Sequence, residues 1–427
     1  MRLAVDNDGL DFGGVPFAER IAREQADLAQ KAKVVPLRPM GAAPFVWRPP
    51  AEIPPRPWLV GIRALLGFAT AIVAPGGLGK TTYAMGLALS VATGRALMAE
   101  RVWQAGPVWI WNLEDGRDEL ERRVTAAILH FDLDPAAMPH PIFLNSGRDR
   151  PLCMAEAVVE RGDDGATVTH LVHPDEAPLI AEAKANAVRM IVVDPFVSSH
   201  TLNENSNPDM AAAMAAWARV AEQAGCAVVL VHHTRKGALG GNIEDARGGS
   251  AIANAARVGL TLSRMDDAAG ERFDVPERDR WRYVRVDDAK ANLAPRADKA
   301  TWFRLASVEL GNSTERYPNG DSVQVAEPWT PPDVFDDITK DQANAALDRI
   351  DQGPKEGHLY GLSRRGREND RWAGTVLMDE FDLNEAQAKH ILAIWQRNGV
   401  LVEVEYHDRE KGRARKGVRV EASKRPA

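Results

Sequence analysis

The chain has 427 residues, which leaves room for a core domain of roughly 200 to 250 residues and a smaller one beside it. At 45% hydrophobic and 26% charged it has the make-up of a soluble globular protein, and no run nears the roughly 18 uninterrupted apolar residues of a membrane span. A formal net charge of −7 excludes a uniformly basic nucleic-acid coat, so contact with phosphate backbones would have to come from local patches.

The N-terminus, MRLAVDNDGLDFGG, lacks a basic segment followed by an apolar run and a small-residue cleavage site, so the expectation is a cytoplasmic protein with no membrane partner. Residues 1–57 form an N-terminal arm: a weak helical stretch from Pro16 to Ala32, then the proline-dense PFVWRPPAEIPPRPWLVG, an extended lead-in that wraps the core or a neighbouring subunit. Cys153 and Cys226 belong to no CxxC pair or metal-spaced cluster and read as buried free thiols.

From residue 58 to about 310, apolar β-branched runs alternate with longer helical patterns, the signature of an α/β domain with a mostly parallel sheet covered by helices. Strands are predicted near Phe68 to Val73, Val108 to Leu113, Met190 to Val193 and Ala227 to Val231. Further strands, open to an antiparallel arrangement, are predicted at Arg257 to Ser263, Trp281 to Asp287 and Thr301 to Ser307. Gly147 to Pro174 is an irregular insertion containing RGDDGATVTH, a hairpin. Residues 311–355 read as a linker, 356–421 as a second domain and 422–427 as a tail.

AIVAPGGLGKTTYAMGLAL puts a strand, a glycine-rich turn and Lys80-Thr81-Thr82 at the start of a helix, the context of a phosphate-binding loop. The loop is Ala74, Pro75, Gly76, Gly77, Leu78, Gly79, Lys80, Thr81 and Thr82. Its glycines let backbone N–H groups turn towards phosphate oxygens, which the positive end of the helix also favours. Lys80 would reach the β- and γ-phosphates of ATP, and the Thr81 hydroxyl would hold Mg²⁺. Ala74 stands where the strictest pattern has glycine, a position that needs only a small residue.

IVVDPF presents Asp194 at the carboxyl edge of the sheet, where it would hold Mg²⁺ through water. VWIWNLEDG ends another strand with Glu114 and Asp115. Glu114 is the favoured general base for the attacking water, while Asp115, before GRDELERR, suits a helix N-cap. VVLVHHTRKG puts His232 and His233 on the same edge, within reach of a γ-phosphate; no Cys or His partner at ligand spacing suggests metal binding.

The order of these motifs, followed by ARGGSAIANAARVGL and DDAKANLAP, resembles the RecA-like ATPases of the RepA type, the hexameric replicative helicases of some plasmids, over roughly residues 58–307. The resemblance implies Lys80 and Thr81 at phosphate and Mg²⁺, Glu114 as base, Asp194 at the metal and His233 as phosphate sensor. It also implies Arg257 as an arginine finger reaching a neighbouring subunit's nucleotide, and Arg123 near the adenine. Lys290 and Asn292 match an element near the subunit boundary, whereas Arg247 and Arg257 also fit simple surface charges. The implied partners are a homo-oligomer, a hexamer, and DNA, single-stranded at the core. The long segments before and after the core depart from the plasmid enzymes.

Residues 357–420 give a helix (Arg371 to Glu380), a capped helix from Asn384, an Asn-Gly stop, a strand, a basic turn and a strand, the order of a winged helix-turn-helix. In that reading Gln387, Lys389, His390 and Gln396 face outward on the recognition helix. Arg409, Lys411, Arg413, Arg415 and Lys416 form a wing for duplex phosphates, or else the domain binds protein behind a solvated charged hairpin. The glycine-rich loop after Lys236 is the candidate mobile DNA-contacting element. The leading expectation is a ring-forming, DNA-dependent ATPase of helicase or translocase type. The alternatives are an ATP-switched DNA-binding loader and a recombination or repair ATPase.

Overall fold

The strand leading into the phosphate loop is made of small and β-branched residues buried on both faces, as a central strand of a parallel sheet must be. The computed structural model describes residues 41–161, 166–233, 251–252, 255–291, 293, 300–336, 338–364, 371–408, 410 and 412–426. Its strands are β1 (Trp58–Val60), β2 (Ala64–Leu65), β3 (Ala69–Ala74), β4 (Val108–Asn112), β5 (Ile142–Ser146), β6 (Glu156–Arg161), β7 (Thr167–Val172) and β8 (Met190–Asp194). Then come β9 (Ala227–His233), β10 (Val258–Arg264), β11 (Tyr283–Ala291), β12 (Thr301–Glu309), β13 (Ser322–Trp329), β14 (Leu401–Asp408) and β15 (Arg413–Val420). The α-helices are α1 (Lys80–Thr93), α2 (Arg117–His130), α3 (Glu176–Ala185), α4 (Asn207–Ala224), α5 (Asp267–Arg272), α6 (Lys340–Gln352), α7 (Gly374–Phe381) and α8 (Glu385–Arg397).

Nine strands form one sheet in the order β13, β12, β11, β10, β3, β9, β8, β4, β5. Neighbours from β10 to β5 run parallel, and β11, β12 and β13 extend the sheet antiparallel. Side chains alternate between two cores: Ile72, Ile110, Val192 and Val229 face α1, while Val73, Trp111, Val193 and Leu230 face α3 and α4. Helix α1 is buried nearly all round, and Tyr83 stacks on Phe303 of β12 at 5.2 Å between ring centroids. The sheet curls far enough for α2 to pack against both edge strands, β5 and β13. The β6–β7 hairpin stands as its own small sheet, as the insertion suggested.

The supposed linker is not a connector throughout. Its SVQVAEPW segment is β13, an edge strand that tolerates Pro328 because one side of an edge needs no ladder donor. Its KDQANAALDRIDQ segment is α6, started by a Thr339–Gln342 capping box. Helix α6 belongs to the C-terminal core, where Leu347 and Ile350 pack with Trp372, Val376, Ile391, Leu392, Trp395, Leu401 and Val418. The capped helix at Asn384 forms as read, with Gln387 closing the box, and Gly399 takes the left-handed conformation just beyond its end. Residues 41–55 fall in a separate unit, are exposed throughout and carry one 3₁₀ turn at Pro50–Glu52. The Pro16–Ala32 helix, the loop after Lys236, Arg247 and Asn292 lie outside the described residues.

Candidate nucleotide-binding site

The loop between β3 and α1 turns on Gly77 and Gly79, with φ of 75° and 69°, a region that costs other residues steric strain. Gly79 is doubly constrained, because a Cβ there would lie 2.7 Å from Leu305 Cδ2 of β12. The Lys80 ammonium folds back over the loop, donating to the carbonyls of Ala74 at 3.0 Å and Pro75 at 2.7 Å. Burial pulls its pKa down to about 8, against the opposing charges of Asp194 and Glu114.

Asp194 ends β8 almost fully buried and accepts a hydrogen bond from the Thr81 hydroxyl. Burial pushes its carboxyl above the usual range, opposed by that hydrogen bond and by Lys80. A hydroxyl and a carboxylate meeting beside a lysine are hard oxygen donors at the spot where a phosphate-bound Mg²⁺ would need them, so the residues fit that ion. His233, at the end of β9, is held below its usual pKa by burial and by Lys80, and so is neutral near pH 7. His232 points the other way, buried with its ring edge-on to Phe196.

These groups line one polar cavity of about 430 Å³, with Gly77, Gly79, Thr81, Thr82 and Glu114 on its loop side. Its far wall comes from α2 and from the start of β13: Arg122, Arg123, Asp321 and Gln324. Arg123 lines the cavity but is paired with Asp115 at 3.1 Å and Glu119 at 3.0 Å. Asp115 is therefore no N-cap; Gly116 occupies that position, and no side chain caps the helix. Arg122 bridges to Asp321 at 3.0 Å, tying α2 to β13. Sequence reasoning named Arg123 but missed the rest of this wall, although the alternation of Ser322, Val323, Gln324 and Val325 was a strand signal.

Arg257 lies at the other end of the sheet. Its N–H donates to Ala69 O, and Val258 pairs with Thr70, on the order of 13 Å along the strand from the loop at ~3.3 Å per residue. The side chain is exposed. Lys290 sits beside it, paired in register with Gly259, its pKa lowered by burial and by the Arg257 charge.

The C-terminal domain has the helix, helix, strand, strand order read from the sequence, and its helix and hairpin make contacts within the chain. The first turn of α8 meets α5: Asn384 Nδ2 donates to Glu271 O at 2.8 Å, and Glu385, Lys389 and His390 line a cleft with Ala268 and Arg272. Gln387 is engaged in its capping box, while Gln396 is exposed. In the hairpin, Arg415 pairs with buried Asp408 at 3.2 Å and Lys416 with Glu403 at 3.0 Å. Arg413 is exposed, and Arg409 and Lys411 lie outside the described residues. Among the described residues no helix is long and apolar enough to cross a membrane. Cys226 is buried and Cys153 half-buried; both are free.

A parallel sheet with β9 inserted between the loop strand and the Asp194 strand, both ending at one polar cavity, is the arrangement of a P-loop nucleotide-binding core. Residues 37–238, a little under half of the chain, match the family model described as an AAA domain, and this stretch carries the loop, Glu114, Asp194 and His233. A solved structure with a partial likeness, "Crystal structure of the RadB recombinase", is 14% identical; the match covers 56% of this chain and 88% of that one, with a TM-score of 0.35.

Proposed function

We propose that the protein is a DNA-dependent ATPase that works as a homo-oligomer, hydrolysing ATP at sites shared between neighbouring subunits, as a ring-forming helicase or translocase would. The observation that carries this reading is the position of Arg257: exposed, beside a second cation, and on the sheet edge opposite its own phosphate loop. An arginine there serves a nucleotide only if the nucleotide belongs to another copy.

In this reading Lys80 leaves the Ala74 and Pro75 carbonyls to hold β- and γ-phosphate oxygens, joined by the loop N–H groups. Thr81 and Asp194 would hold Mg²⁺, which supplies charge neutralisation at the phosphates when bound. Glu114 takes a proton from the attacking water as the water oxygen bonds to the γ-phosphorus and the bond to the ADP oxygen breaks. His233, neutral, donates to or accepts from the γ-phosphate region, and Arg257 of a neighbouring copy balances the charge on the transferred group.

For the C-terminal domain, the paired hairpin charges and the packing of α8 on α5 favour a winged-helix-like module that binds protein over one that reads duplex DNA through α8. The test is ATP hydrolysis measured without DNA, with single strands and with duplex, using Lys80→Ala and Arg257→Ala as controls. Stimulation by single strands, lost in both variants, is expected. An oligomeric protein whose hydrolysis ignores all DNA would sink the motor reading.

A further inference from the structure

The Leu113–Glu114–Asp115 turn leaves β4 at the edge of the cavity, and its backbone is held from several sides. Asn112, 3% exposed, accepts the N–H groups of Glu114 at 2.9 Å and Asp115 at 2.7 Å on its Oδ1. Ser146, the last residue of β5 and 1% exposed, donates its hydroxyl to Asp115 O at 2.7 Å and accepts the Arg148 N–H at 3.1 Å. Arg148 Nε then donates to Glu114 O at 2.9 Å.

Two more bonds lock the layer beneath. Leu113 N–H donates to Asp194 O at 2.7 Å, and Gly147 N–H donates to Asn112 O at 2.8 Å. Gly147 has to be glycine for this approach, because a Cβ would lie 2.8 Å from Leu113 Cα. The Glu114 carboxylate itself is exposed, so its aim at the cavity is set by the backbone that carries it.

We propose that Arg148, seated by Ser146, is a positioning residue for Glu114: its guanidinium fixes the carbonyl of the residue whose carboxylate activates water. A surface arginine with only a structural duty would tie down the loop and affect stability. Arg148 instead grips the one residue of the turn with chemistry to do, from the turn that follows the neighbouring strand β5, on the nucleotide edge of the sheet. Misplacing a base by about 1 Å can cost on the order of a hundredfold in rate, so a single exposed hydrogen bond is enough to matter. The inference rests on Glu114 being the base of the proposed ATPase.

The test uses the full chain, with kcat and KM for ATP, affinity for a fluorescent ATP analogue and thermal melting measured for Arg148→Ala, Ser146→Ala and Glu114→Gln, and for the Arg148→Ala/Glu114→Gln double variant. Arg148→Ala should lower kcat by about tenfold to a hundredfold with nucleotide affinity and melting temperature unchanged. Ser146→Ala should lower kcat less. In the Glu114→Gln background Arg148→Ala should cost nothing further, because the group it positions is gone. Unchanged kcat in Arg148→Ala, or a further multiplied loss in the double variant, overturns the inference while leaving the ATPase reading intact. Absence of ATP hydrolysis in the unmodified protein overturns both.

Discussion

The phosphate-loop core and the C-terminal domain both gather charged side chains, and they dispose of them in opposite ways. Around the cavity, Lys80, Glu114 and Asp194 converge, and burial shifts Lys80 and Asp194 towards their neutral forms. In the C-terminal domain charges pair off: Asp408 with Arg371 and Arg415, Lys416 with Glu403, Arg349 with Asp379 and Glu380. Clustered charge whose burial is not offset by pairing marks a place made for a ligand, whereas paired charge of similar density marks packing.

The sharpest contrast is between single substitutions in the two regions. Glu114→Gln is expected to slow ATP hydrolysis by about 10² to 10⁴-fold with the melting temperature unchanged, measured by steady-state assay and calorimetry. Trp395→Ala, in the fully packed C-terminal core, should do the reverse: about 3 to 5 kcal/mol of stability lost from that domain in denaturant titration, with basal hydrolysis retained. If Trp395→Ala abolished basal hydrolysis, the two regions would not be separable in this way.

Smaller effects refine the same comparison. Nucleotide affinity should fall as pH rises through about 8, because the free site loses the Lys80 proton there and phosphate binding needs the charged amine. Stability of the nucleotide-free protein should move the other way. With a folded pKa below the unfolded value near 10.4, Lys80 leaves the unfolded state binding more protons, so its contribution to stability rises between about pH 8 and that value. Lys80→Ala should remove both trends. Finally, if the hairpin touches DNA at all, Arg413→Gln should weaken binding more than Lys416→Gln, since Lys416 already has Glu403; titration at two salt concentrations reads the difference.

Much of the core was legible in the sequence for simple reasons. β3, β4, β8 and β9 are buried on both faces and so appear as unbroken apolar runs, and the loop needs specific residues in a fixed order. The capped helix at Asn384 was equally plain, because both halves of its box lie three residues apart. β5 and β13 escaped notice as edge strands: one is only partly buried, and the other is half polar and contains Pro328. The basic run of the wing was plain in the sequence, whereas the pairing of Lys416 with Glu403 and of Arg415 with Asp408 was not, because these partners come together only when the two strands of the hairpin lie side by side. Ser146 and Arg148 carried no local signal, since their partners sit about 30 residues away across the sheet edge.

The central claim, a site completed by a second copy, is tested most directly by mixing two inactive variants. Lys80→Ala lacks a working loop and Arg257→Ala lacks the far-edge arginine, so each alone should hydrolyse ATP at least about a hundredfold more slowly than the unmodified protein. Mixed and allowed to exchange subunits, they should recover a measurable fraction of activity, because some interfaces pair an intact loop with an intact Arg257. Full activity of Arg257→Ala alone, or no recovery in mixtures shown to have exchanged, would contradict the account.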